Sequence, residues 1–351
     1  MKSMKHYGAS LQLTLTAISA IAGDSESARG RIEEALAKGD ILDAQVRTLG
    51  EGLWMLFTHT QGERSPSIHQ LAWEAIEIGA PEALATKDFP GQLDGSGISC
   101  CELSIYERPH ESLIAFAGVS TATGSFNLPL YRIFADPFNT SGLILSESLG
   151  KGSLFEVHDS LEQRKAIFTL PEELYGMLAH IGSPGRFVVH RVIPRATNNS
   201  AAVASIDRLL ELPGMAGHQH PLAIVRCDGG LPTVGEAIEP FAVPSLVEGF
   251  ARASHLGPWM PVALTDASPA RFDGPPRVVS LNIEVSLGKL HDSRDLFDDP
   301  SFDGAREEAN RLADIMRSHG PFEPHRLPFT DDELDELPPP TAHDSSRWVD
   351  T

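Results

Sequence analysis

Cysteine is almost missing from this 351-residue chain, which has only Cys100, Cys101 and Cys227. Two of these are adjacent and the third lies in the apolar run 222–227, so no disulfide framework can be built from them. With no Cys-x-x-Cys pair, a thiolate zinc or iron–sulfur centre is not expected. Basic charge is scarce too: 28 Lys and Arg stand against 48 Asp and Glu, a net charge of −20. Phosphate backbones and anionic membranes select basic surfaces, so neither nucleic acid nor membrane is expected as a partner. Runs of eighteen or more apolar residues are also lacking, which excludes a helical membrane span. The apolar stretch 11–23 is broken by Thr and Ser and has no cleavage-site pattern. It reads as a buried strand and turn rather than a signal peptide, and a cytoplasmic location follows as the expectation.

What is present is the composition of a soluble globular protein, 41% hydrophobic and 22% charged. Period-two alternation predicts a strand over 11–15, and further strands are predicted over 44–46, 53–58, 102–106, 113–117, 221–227 and 277–285. Helical spacing predicts helices over 28–38, 67–79, 201–212 and 305–319, the last with Ala309, Leu312, Ala313 and Met316 on one face. Ser65 or Ser67 is the cap candidate for the second of these. No repeat or low-complexity linker divides the chain. The expected organisation is a flexible N-terminus over 1–10, one mixed α+β domain over 11–330, and a disordered tail over 331–351. That tail is acidic (Asp331, Asp332, Glu333, Asp335, Glu336) and then proline-rich (338–340).

Several long segments carry a resemblance. They are Leu56-Phe57-Thr58-His59-Thr60, the block 126–140 (FNLPLYRIFADPFNT), Gly182-Ser183-Pro184-Gly185-Arg186 and Val234 to Phe241. The C-terminal third adds Arg271 to Arg277 (RFDGPPR), Asp295 to Pro300 (DLFDDP), 319–322 and 324–328. In this order they resemble the bifunctional fructose-1,6-bisphosphate aldolase/phosphatase family, over about 11–337. The resemblance implies a single-domain four-layer α-β-β-α sandwich and a homo-oligomer, an octamer in the family. It also implies an enzyme that binds several Mg²⁺ ions and a sugar bisphosphate. In that family a lysine forms a Schiff base, and the metals then hydrolyse a phosphate.

The catalytic motifs of that family are altered here. Its metal-binding aspartate and histidine near the first strand fall on Ala17 and Asp24. Its paired aspartates fall on Glu51 and Gly52. Its Lys-Asp-Asp-Pro motif reads His218-Gln219-His220-Pro221, and the proton-transfer tyrosine before it is Met215. Asp136 alone is kept as a metal ligand. The seven lysines include none in a setting that plainly lowers a pKa, so Schiff-base chemistry is not expected.

The residues that replace the motifs have a chemistry of their own. Two imidazoles with carboxylates suit Zn²⁺, Mn²⁺ or Fe²⁺ better than Mg²⁺. The candidate metal set is Asp24, Glu51, Asp136, His218 and His220, and His218, His220 and Glu51 are the candidate catalytic groups. The plainer alternative is that His218 to His220 is an exposed polar turn. Candidate substrate contacts are Gly95 and Gly97, with an ordinary turn as the rival, Arg271, with a buried salt bridge as the rival, and Asp228 and Lys289. His59 and His255 read as structural. No organic cofactor is indicated.

Three functions stay open. The first is a repurposed lyase or hydrolase acting on a small polar carbonyl-containing or phosphorylated molecule. The second is a catalytically silent binding or assembly homologue, and the third is residual fructose-1,6-bisphosphatase activity.

Overall fold

The computed structural model describes residues 11–21, 25–50, 52–80, 98–119, 121–206, 220–248, 256–268, 275–318, 330, 332–333, 336 and 345–351. Among these residues the fold is α+β, built on two main sheets.

The first sheet has the order β2-β3-β1-β4, all antiparallel. Its strands are β1 (Gln12–Ile21), β2 (Asp43–Leu49), β3 (Gly52–His59) and β4 (Ile98–Tyr106). Both faces of its central strands are apolar. Leu13, Leu15 and Ala17 of β1, with Trp54, Leu56, Cys101 and Leu103, face the second sheet. Ile18 and Ala20, with Leu53, Met55, Phe57, Ile98 and Cys100, lie under the two helices α1 (Ser25–Leu36) and α2 (Pro66–Gly79). Period two sends alternate residues of one strand into two cores, which is why β1 reads as nearly continuous hydrophobicity. Ser65 is the N-cap of α2, though its side chain makes no capping bond there and Pro66 supplies the preset first turn.

The second sheet has ten strands. Its order is β13 (Met260–Pro261), β14 (Arg277–Ser286), β5 (Glu111–Val119), β10 (Leu222–Cys227), β9 (Ala202–Ala204), β8 (Phe187–Pro194), β6 (Ser153–Asp159), β7 (Arg164–Thr169) and β16 (Val349–Asp350). β15 (Lys289–Asp295) pairs with β14 off this path. One face of this sheet meets the first sheet. The other holds a core that includes Phe116, Phe155, Phe187 and Val225. Against it pack α3 (Asn127–Ala135), α5 (Leu174–Ile181) and α6 (Val234–Ile238), which contribute Leu130, Phe134, Met177, Ile181 and Ala237.

The strands predicted over 11–15, 44–46, 53–58, 102–106, 113–117, 221–227 and 277–285 all form, most with added residues at their ends. Two expectations need correction. The helix expected over 201–212 is a strand where it is described: Ala202–Ala204 pairs with β8 and with β10. Alanine favours a helix intrinsically, but small residues sandwiched between two strands and two cores gain more from the ladder. The tail also departs from expectation at its far end. Val349 and Asp350 pair with β7, and Trp348 packs against Phe168 and Phe187. α7 (Asp303–Ser318) forms as expected, with Ala305 and Ala309 buried and Leu312, Ala313 and Met316 half-buried.

Candidate functional site

His220 sits where β10 begins, directly across from the end of β1. The Ser19 hydroxyl donates to the His220 carbonyl at 2.8 Å, and the Gly118 N–H donates to the Pro221 carbonyl at 2.8 Å. The residue as a whole is half-buried, but its ring Nδ1 is shut off from solvent and has no hydrogen-bond partner. Burial drives its pKa down to about 4, and a bond from the ring to the Gly118 backbone opposes this only in part. The imidazole is therefore neutral near pH 7, with a lone pair offered to whatever enters.

The neighbours of this ring in the chain belong to the same end of the sheets. Gly52 pairs with Ile21, and the Gly52 Cα faces the Ala20 backbone so closely that a Cβ would stand 2.7 Å from the Ala20 carbonyl oxygen. Arg277, the last residue of the RFDGPPR block, is buried and donates to the Asp266 and Ser268 carbonyls. Asp24, Glu51, Gly95, Gly97, His218, Arg271 and His255 lie outside the described residues.

Three other predicted residues are at the opposite end. Asp228 follows the last residue of β10, so it stands roughly 20 Å or more from His220 at about 3.3 Å per extended residue. It holds a left-handed turn at φ +62, its carbonyl accepting from Arg108 at 2.9 Å. Lys289 opens β15 beside the Val285 end of β14 and donates to the Leu42 carbonyl. Asp136 ends α3, and its carboxylate accepts from the Phe138 N–H at 2.9 Å. The segment after it is tied to the Asp228 side by Asn139 to the Glu236 carbonyl (2.9 Å) and Ser148 to the Gly230 carbonyl (2.9 Å). Within one chain His220 and these three residues occupy separate ends.

His59, read as structural, is enclosed in a polar knot under α2. The Thr16 hydroxyl donates to Glu102 Oε1 at 3.0 Å, so at 2.9 Å it accepts from His59 Nε2–H. That leaves His59 Nδ1 to accept from the Gln61 N–H at 3.3 Å. His69 of α2 lies 3.1 Å from Glu102 Oε2, which also accepts from the Arg64 N–H at 2.6 Å. Burial pushes Glu102 up, but His69, the Arg64 N–H and the Thr16 hydroxyl outweigh it and keep the carboxyl below its ordinary value.

The reading of the sequence missed a second grouping, Glu156, His158 and His190, whose ligand atoms all lie within 4.8 Å of one another. Glu156 and His158 are two apart on β6 and share a face, a spacing that could have revealed half of it. His190 comes from β8, and no local pattern points to that pairing. Burial pushes Glu156 up, yet His158, His190 and Lys165 pull its pKa down to about 2.

The comparisons with known proteins bear on this scaffold. A family profile described as fructose-1,6-bisphosphatase matches residues 19–348. The fructose-1,6-bisphosphate aldolase/phosphatase of Ignicoccus hospitalis is 46% identical over 328 residues, covering 90% of this chain and 84% of its own. That of Thermococcus kodakarensis is 45% identical over 331 residues (89% and 88%), and that of Moorella thermoacetica 44% over 330 (90% and 87%). Similarity of this extent, spread across both sheets, leaves one conclusion: the chain belongs to the fructose-1,6-bisphosphate aldolase/phosphatase family.

Proposed function

We propose that this family member is an enzyme whose chemistry runs on histidine and one divalent transition metal instead of a lysine and a magnesium cluster. Its substrate is a small phosphorylated or carbonyl-containing molecule, and its reaction is of the lyase or hydrolase type. The observation that carries this reading is the neutral, unpartnered His220 Nδ1 at the junction of β1 and β10. Such an atom either takes a proton from substrate or binds a metal, and a buried polar atom left without a partner has an energetic cost that a ligand would remove. Joined by His218, Asp24 and Glu51, His220 would give a donor set suited to Zn²⁺, Mn²⁺ or Fe²⁺, which would polarise a carbonyl or phosphoryl oxygen. Gly95, Gly97 and Arg271 would hold the anionic part of the substrate.

Asp136, Asp228 and Lys289 can join this site only from another copy of the chain, which supports a homo-oligomer with the site at its subunit boundary. Beside Asp136, Phe138 is fully exposed and Leu145 is 82% exposed, apolar surface that a second copy would cover. The three cores, helix on sheet, sheet on sheet and sheet on helix, support the four-layer α-β-β-α arrangement. A cytoplasmic location stays part of this reading.

A second reading, phosphate release from fructose 1,6-bisphosphate as in the relatives' name, is favoured by identity that extends over nine-tenths of the chain. One assay separates the two. Chelator-stripped enzyme is given Mg²⁺, Zn²⁺, Mn²⁺ or Fe²⁺ in turn, with fructose 1,6-bisphosphate and other phosphorylated aldehydes and ketones. The proposal expects turnover with a transition metal, lost by at least about a hundredfold in His220→Ala, and no borohydride-trapped lysine adduct. Mg²⁺-dependent phosphate release that His220→Ala leaves intact would overturn it in favour of the second reading.

A further inference from the structure

We propose that Glu156, His158 and His190 form a binding site for one Zn²⁺ ion, separate from the site around His220. The grouping is made by a fault in the β6–β8 ladder. Glu156 pairs with Arg191 and Val157 with Val189, so His190 is the extra residue of a bulge on β8. Regular alternation would send Val189 and Val192, three apart, to opposite faces. Both are in the helix-side core, so the bulge leaves His190 and Arg191 together on the other face. Arg191 turns to Glu63 at 2.8 Å, and His190 turns to the pair on β6.

The geometry suits four-coordinate zinc. His158 Nε2 is 2.9 Å from Glu156 Oε1, and the two imidazoles meet edge-on with centroids 4.9 Å apart. Ligand atoms around tetrahedral zinc stand about 3.3 Å apart, given bonds of about 2.0–2.2 Å, so a set already within 4.8 Å closes by small side-chain rotations. The surroundings are those of a metal site. His190 Nδ1 is 2.8 Å from the Ala204 carbonyl, which fixes Nδ1–H as donor and makes Nε2 the nitrogen that would ligate the ion. Lys165 stays 3.4 Å from Glu156 Oε2, leaving Oε1 for the ion. The side chains are nearly enclosed, Glu156 14%, His158 12% and His190 2% exposed. Two imidazoles and one carboxylate favour zinc over Mg²⁺ or Ca²⁺, with a fourth position for water.

Zinc bound here would clamp β6 to β8 across the bulge, and the test uses zinc alone on the full-length, chelator-stripped protein. To silence the other candidate site, His218→Ala/His220→Ala is the background. Expected are one Zn²⁺ per chain by equilibrium dialysis and elemental analysis, two imidazole neighbours in the zinc X-ray absorption spectrum, and a rise in Tm with Zn²⁺ but not Mg²⁺. Adding His158→Gln and His190→Gln should weaken binding by at least about tenfold and abolish the Tm shift. Should that variant not fold, Glu156→Gln in the same background must lower zinc affinity with the circular dichroism spectrum unchanged. A folded background variant that binds no zinc, or binding that survives these substitutions undiminished, overturns the site.

Discussion

Two clusters in this molecule contain the same residue types, two histidines and a glutamate, and they behave as opposites. Around Glu102 the groups serve one another: Thr16 and the Arg64 N–H donate to its oxygens, His69 stands 3.1 Å from Oε2, and His59 spends one nitrogen on Thr16 and the other on the Gln61 N–H. Around Glu156 the three side chains turn towards one another instead. His158 and Lys165 take the carboxylate, and His190 uses Nδ1 on a carbonyl and turns its other edge to the pair. A network whose polar groups serve one another rigidifies a fold, whereas ligand atoms that converge on one point can close on an ion. Residue type alone does not separate structure from function here. The convergence of one ligand atom from each of Glu156, His158 and His190 to within 4.8 Å does.

The largest effect should come from opening the closed cluster. Glu102→Ala strands the Thr16 hydroxyl, His69 and the Arg64 N–H under α2, and removing one partner of a buried charged network costs about 3–5 kcal/mol. Urea unfolding should show that loss with the slope unchanged. A cost under about 1 kcal/mol would mean the knot is wetter than its geometry says, and the contrast with Glu156 would fail.

Acid should act next, through His220. Its folded pKa of about 4 lies below the ordinary 6.5, so between those values the unfolded chain binds a proton that the folded chain refuses. Stability therefore falls as pH drops from 6.5 towards 4 and levels off below, a loss on the order of 3 kcal/mol at most, from 1.36 kcal/mol per pKa unit. His220→Gln should flatten that limb in a pH series of urea midpoints, and His59→Gln, whose site also lowers its pKa, should flatten it less. An unchanged limb in His220→Gln would show that the ring is solvated after all.

Glu156 acts with the same sign in a lower pH window. Its pKa near 2 is depressed from 4.5, so its contribution is present above pH 4.5 and is lost as pH falls towards 2. In the absence of zinc, Glu156→Gln should cost about 2 kcal/mol at pH 7, the scale of a hydrogen bond to a charged group. If it costs as much as Glu102→Ala, the two clusters are equally closed and the difference drawn between them disappears.

Much of the scaffold was legible because burial on both sheet faces writes long apolar runs, as in 11–21 and 222–227. β6, β7 and β8 were not read from pattern. Their positions turned away from the helix-side core hold His, Glu, Lys and Arg that serve side-chain pairs across strands, and those pairings are non-local. The short strand Ala202–Ala204 hid behind the helix propensity of alanine, which tertiary pairing overrides. The site was half legible. His220 was found from its place in an altered motif, and its burial and unpartnered nitrogen come from contact with Ser19 and Gly118, far away in sequence. Asp136, Asp228 and Lys289 were grouped with it by resemblance, although the strand predicted over 221–227 already sets His220 and Asp228 at its opposite ends.

The smallest effect concerns a carboxylate as fully used as Glu102 but close to solvent. Glu236 accepts from the Thr233 N–H at 2.9 Å while the Thr233 hydroxyl accepts from the Glu236 N–H at 3.2 Å, a capping box that starts α6. Its other oxygen accepts from the Ser141 hydroxyl at 3.0 Å and the Gly142 N–H at 3.2 Å, so one side chain joins the Asp228 turn to the segment after Asp136. Burial nudges its pKa up, but these donors outweigh it and leave it below the ordinary value. Thr233→Ala removes only the cap and should cost about 1 kcal/mol, with Thr233→Ser near zero. Glu236→Ala removes both functions and should cost more than Thr233→Ala, yet less than Glu102→Ala, because water can replace its lost partners. Equal losses at Glu236 and Glu102 would show that saturation alone sets the cost, and burial would then drop out of the comparison.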